Sequence, residues 1–181
     1  GCSVFQPLWA GEHLLVANDQ SGFWNLELWR GAAAAATTAA PDWQAFLPMP
    51  AEFAMPQWVL GMSTLAWDGA RLLALACRQG RWQLGEVELP SSNGEQGRWQ
   101  PLQQLFTDLA GLCAETGRLA CVASSPSQPQ GLLELELGEG NDAPRWQHSP
   151  AAPNPLTEAA ISQPQELWFA GAGGQPTQAW F

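Results

Sequence analysis

The chain has 181 residues, 46% of them apolar and only 13% charged, a balance that belongs to proteins with a buried core and excludes disorder. Seventeen acidic residues face seven arginines and no lysine, giving a formal net charge of -10. No basic cluster can neutralise phosphates or rest on anionic lipid, so neither nucleic acid nor a membrane is expected as a partner.

No apolar run reaches the roughly 20 residues that span a bilayer, and the first residues lack the basic-then-apolar layout of a signal peptide. Cys2, Cys77, Cys113 and Cys121 form no C-x-x-C pair and have no His at ligand spacing, which argues against zinc. They are expected as free, buried thiols in a reducing, cytoplasmic compartment. No metal or cofactor is expected.

In chain order, residues 4–9, 14–17, 24–29 and 43–47 are predicted strands. The second and third are joined by a polar turn through Asp19, Gln20, Ser21 and Gly22. The insert A-A-A-A-A-T-T-A-A at 32–40 is too short and too poorly capped for an independent helix. It is expected as a surface loop, with a short helical turn as the lesser alternative.

After the Pro48-Met49-Pro50 corner the rhythm repeats. Strands are predicted at 57–67, 71–77, 82–89 and 99–105, with turns at Asp68-Gly69 and Gln79-Gly80 and a Ser-Ser-Asn-Gly loop at 91–94. A third copy has strands at 109–114, 119–123, 132–137 and around Trp146. The fourth strands open with Trp43-Gln44, Trp99-Gln100 and Trp146-Gln147, spaced 56 and 47 residues apart. That period suits four-stranded propeller blades with loop insertions. Alternation places Glu27, Glu86, Glu88, Glu134 and Glu136 on one face of their strands and Leu or Val on the other.

The fold class is therefore all-β, with residues 1–150 forming about three four-stranded antiparallel blades of a partial β-propeller. Residues 151–165 carry three prolines and have linker composition. Residues 166–170, a Gly171 to Gly174 turn and residues 178–181 suggest a hairpin. Because the chain ends on Trp180-Phe181, a further domain is expected to follow.

Candidate chemistry is sparse. Gly61-Met62-Ser63-Thr64-Leu65 lacks the second Gly of a nucleophile elbow and lies in a predicted strand, so Ser63 is a strand hydroxyl before it is a nucleophile. His13 and His148 have no acid and nucleophile at a telling spacing and are expected as solvent-facing turn residues. Gly171-Ala172-Gly173-Gly174 is followed by neither Lys nor a helix, so it is a turn before it is a phosphate cradle. The eleven tryptophans recur at matching points of the repeats, which favours packing between blades over sugar or base stacking. Glu52 leads the first strand of its repeat, a place that in a propeller faces the central channel. It is the candidate substrate-binding residue, able to pair with a free amine, against the simpler expectation of a solvated loop acid.

The strings V-A-N-D-Q-S-G-F-W-N-L-E-L-W (16–29), A-E-F-A-M-P-Q-W-V-L-G-M-S-T (51–64) and I-S-Q-P-Q-E-L-W-F-A-G-A-G-G-Q-P-T-Q-A-W-F (161–181) together resemble the prolyl oligopeptidase family of serine peptidases. The resemblance is to its acylaminoacyl-peptidase and dipeptidyl-aminopeptidase-like members. It implies the end of a β-propeller, a Pro-rich linker at 151–165, and at 166–181 the first strands of a truncated α/β-hydrolase domain. It further implies a peptide substrate and contact with the downstream hydrolase domain. The family's catalytic Ser, Asp and His fall outside this stretch, so no catalytic residue is assigned and the chain alone is expected to be inactive. The alternatives are a stand-alone propeller for protein interaction or a carbohydrate-binding module.

Overall fold

The computed structural model describes residues 1–34, 40–92, 94–102, 105–138 and 145–181. Three four-stranded antiparallel meanders follow one another along the chain. The first is β1 (Val4–Ala10), β2 (His13–Asn18), β3 (Asn25–Trp29) and β4 (Trp43–Leu47); the second is β5 (Leu65–Trp67), β6 (Leu72–Arg78), β7 (Arg81–Glu88) and β8 (Arg98–Pro101). The third is β9 (Asp108–Glu115), β10 (Arg118–Ser124), β11 (Gly131–Glu136) and β12 (Arg145–Pro150), and a separate hairpin pairs β13 (Glu166–Ala170) with β14 (Pro176–Trp180). The predicted strands are thus met within a residue or two at nearly every end.

The first strands of successive sheets lie side by side, β1 against β5 and β5 against β9, so the sheets stack face to face as propeller blades do. Two apolar clusters fill the gaps. Phe5, Leu15, Leu26, Leu28, Phe46, Phe53, Leu65 and Leu72 pack between the first and second sheets. Leu73, Leu75, Leu84, Leu109, Leu119, Leu133 and Leu135 pack between the second and third. Strand β6 feeds both: Leu72, Ala74 and Ala76 face one cluster while Leu73 and Leu75 face the other. A strand covered on both faces reads as an unbroken apolar run, L-L-A-L-A-C. Leu26, Leu28, Val87, Leu133 and Leu135 are buried, and the Glu residues between them point outward as alternation requires.

The first strand of the second repeat departs from expectation. Residues 57–64 are not strand; β5 keeps only Leu65–Trp67. The sheet edge is instead completed by Glu52, which bridges to Cys77, so residues 53–63 leave and rejoin the inner strand as one excursion. Its tip exposes Trp58 by 83% and Leu60 by 93%. In the 32–40 insert, Ala32–Ala34 form a 3-10 turn, while 35–39 and Asn93 lie outside the described residues; of the strand expected at 99–105, β8 ends at Pro101, Leu102 and Leu105 are not strand, and 103–104 lie outside the described residues. Residues 151–165 contain one 3-10 turn, Glu158–Ala160, and no strand. No helix is long and apolar enough to cross a membrane among the described residues.

Candidate functional site

Glu52 is fixed from three sides. Its N–H donates to the Cys77 carbonyl at 2.9 Å and its carbonyl accepts from the Cys77 N–H at 2.8 Å, which seats it at the inner edge of the second sheet. Its Oε2 accepts the Trp24 N–H of the first sheet at 2.6 Å, and the next residue, Phe53, donates to the Trp24 carbonyl at 2.7 Å. The preceding Pro-Met-Pro corner is held by the buried Asn25, whose Nδ2 donates to the Met49 and Ala51 carbonyls at 3.1 and 3.0 Å and whose Oδ1 accepts the Met49 N–H at 3.0 Å. Glu52 is therefore a half-buried inter-sheet anchor, with one carboxylate oxygen committed to Trp24.

The base of the excursion that follows is closed by Thr64. Its Oγ1 donates to the Phe53 carbonyl at 2.5 Å, and its own carbonyl accepts the Leu75 N–H at 2.7 Å. A second carboxylate, Asp108, opens β9 at the same end of the molecule. Burial pushes the Cys77 thiol up, and the charges of Glu52 and Asp108 push the same way against a backbone hydrogen bond at Gly80, so both acids sense this position.

The docked hairpin bounds the same end. Gln178 donates from Nε2 to the Gln79 carbonyl at 2.8 Å, and the Arg81 guanidinium lies 4.7 Å from the Trp180 ring centroid, a cation–π distance. Gly80 makes the approach possible: a Cβ there would stand 2.6 Å from Trp180 Nε1, and its φ of +72° suits glycine.

The other candidates are structural. Ser63 donates from Oγ to the Leu112 carbonyl at 2.8 Å, tying the second sheet to the third, and it precedes the strand it was expected to occupy. Neither histidine is a solvent-facing turn residue. His13 begins β2, half-buried, and its Nδ1 accepts the Gly31 N–H at 2.9 Å. His148 lies in β12 with its ring 4.5 Å from that of Phe106. Gly171 to Gly174 form the tight turn of the hairpin.

Most tryptophans pack. Trp24 meets Phe5 edge-on at 6.3 Å, Trp99 meets Phe53 at 5.6 Å, Trp29 meets Trp43 at 6.0 Å, and Trp82 and Trp146 line the second cluster. All four cysteines are free, but the expectation that they are buried holds fully only for Cys121, whose thiol burial pushes up to about 12. Cys77 is half-buried, Cys2 is exposed ahead of β1, and Cys113 is exposed on the outward-facing side of β9. No group of three or more His, Cys, Asp or Glu side chains is arranged to hold a metal among the described residues.

Residue reading missed Gln6, Asn25 and Asp108. Only Gln6 left a signal, a polar residue followed by proline inside an apolar strand, which marks a bulge.

Comparison with solved structures gives the assembly a context. The chain matches a Mycobacterium tuberculosis puromycin-hydrolyzing peptidase with a TM-score of 0.78 and 25% identity over 99% of its own length. It also matches puromycin hydrolase at a TM-score of 0.76, and a mutant of that enzyme complexed with PGG at 0.75, each with 24% identity over 99% of this chain. It spans only 26%, 25% and 25% of those three chains. No family model matches, and no curated protein matches.

Proposed function

We propose that the chain is the propeller portion of a serine peptidase of the prolyl oligopeptidase family, the resemblance read from residues 16–29, 51–64 and 161–181 and borne out by its structural neighbours. The observation that carries the proposal is a match over nearly the whole chain to about a quarter of a peptidase. On this reading residues 1–150 are blades, 151–165 a linker and 166–181 the first strands of the hydrolase domain. The parent hydrolyses short peptides or releases N-terminal residues by acyl-enzyme chemistry. The blades gate and orient the substrate, and this chain alone is inactive. Four free thiols support a reducing compartment.

Within that reading Glu52 is the residue that meets the substrate's free amine. Its position at the inner edge of the second sheet supports this, and the bond from Trp24 N–H to Oε2 leaves Oε1 to receive an ammonium group. The test is Glu52→Gln in the parent enzyme. Glutamine keeps an oxygen acceptor for Trp24 but loses the charge. KM is expected to rise roughly tenfold, the scale of one charge-assisted contact, for peptides with a free amino terminus and to stay unchanged for N-acetylated ones. An equal rise for both classes overturns the assignment. The continuing gene sequence tests the larger claim: a G-x-S-x-G followed by Asp and His supports it, and further blades or an immediate stop removes it.

A further inference from the structure

Between the hairpin and the second and third sheets lies a cleft of about 400 Å³, within the lower range of small-molecule sites. Trp82 and Trp180, with Pro126 and Pro164, give it apolar walls, and Arg81 and Asp108 give it two opposite charges. Trp82 is held by its N–H bond to the Thr107 carbonyl at 2.9 Å and by packing into the second apolar cluster. Trp180 is held by the hairpin's contacts with Gln79 and Gly80.

Neither charge forms an ion pair among the described residues. Arg81 lies against the Trp180 face, and no carboxylate pairs with it among the described residues. Asp108 accepts one hydrogen bond, from Ser124 Oγ at 3.3 Å, and likewise forms no ion pair among the described residues. The cleft thus holds a guanidinium and a carboxylate that do not bind each other. It suits a ligand that carries its own separated charges.

We propose that this cleft binds a small zwitterion, a free amino acid or dipeptide with an aromatic or large apolar side chain. Its carboxylate meets the Arg81 fork, its ammonium group meets Asp108, and its side chain lies between the two tryptophans and the prolines. Recognition uses the cleft alone and does not depend on the peptidase reading or on Glu52.

The experiment titrates the full chain with L-phenylalanine, N-acetyl-L-phenylalanine and L-phenylalaninamide, following tryptophan fluorescence and calorimetric heat. L-Phenylalanine is expected to bind saturably at millimolar concentration, and each blocked form roughly tenfold more weakly, as loss of one charge-assisted contact implies. Asp108→Asn should abolish the penalty for acetylation and Arg81→Gln the penalty for the amide. Because Arg81→Gln also removes the contact with Trp180, Asp108→Asn is the decisive variant. The proposal is overturned by equal binding of all three ligands, by no saturable response to L-phenylalanine, or by binding that survives Asp108→Asn but is lost in Glu52→Gln.

Discussion

Three polar side chains, Gln6, Asn25 and Asp68, do for this fold what no apolar contact can: they satisfy backbone groups that the blade geometry would otherwise bury unpaired. Gln6 turns its backbone to a φ of 45° within β1, and its amide then clasps the second sheet. Its Oε1 accepts the Thr64 and Leu65 N–H groups at 2.8 and 3.0 Å and its Nε2 donates to the Leu65 carbonyl at 2.6 Å. Asp68, 5% exposed, accepts the Ala70 and Arg71 N–H groups at 2.8 and 2.6 Å and the Arg71 guanidinium at 3.1 Å. Burial alone would raise its pKa, but these bonds and the Arg71 charge outweigh it and hold the carboxyl below the usual 3.8. A depressed folded-state pKa means that the stabilisation is complete above 3.8 and is lost as pH falls below that value through the folded pKa. Asp68→Asn is expected to cost about 1–3 kcal/mol at neutral pH. Urea melts of variant and wild type should converge as the solution is acidified; a constant gap down to acid pH would contradict this assignment.

Among the elements, the difference between the predicted strand at 57–67 and the observed excursion is the most instructive. The string Q-W-V-L-G-M-S-T-L-A-W has the composition of a buried strand, yet the edge position beside Cys77 is already taken by Glu52. The surplus chain must loop out, and Trp58, Val59 and Leu60 go with it into solvent. Local composition cannot register that an edge is occupied. The outer strands show the opposite case, a contact hidden in plain composition. Trp99 of β8 lies over Gly85 of β7, where a Cβ would stand 2.5 Å from the indole Cη2 and 2.6 Å from the Gln100 carbonyl. Gly85→Ala is therefore expected to destabilise by about 1–3 kcal/mol through overpacking, read as a lower melting temperature. Replacing the exposed Trp58 by Ser should change stability by no more than about 0.5 kcal/mol.

For the whole molecule, the second sheet is covered on both faces and the first and third are covered on one. Val4 and Trp9 of the first sheet are 56% and 51% exposed, and Val122 and Leu132 of the third are 39% and 44% exposed. Apolar side chains left on sheet faces favour association. The isolated chain should therefore self-associate with rising concentration in sedimentation velocity, more so in high salt, where repulsion from the net charge of -10 is screened. A concentration-independent monomer would show that these faces are already satisfied. Eleven of the twelve strands of the three sheets, and most of their turns, were legible in residues 1–150, β5 being the exception, because a two-residue period and an Asp-Gly or Gln-Gly turn depend only on neighbours along the chain. The Glu52 anchor, the Gln6 clasp and the Trp180 dock were not. They join residues 28, 59 and about 100 positions apart, and such partners exist only once the sheets have stacked. Glu52 could be singled out from its place in the repeat, but its bond to Trp24 came from the stacking of one blade on the next.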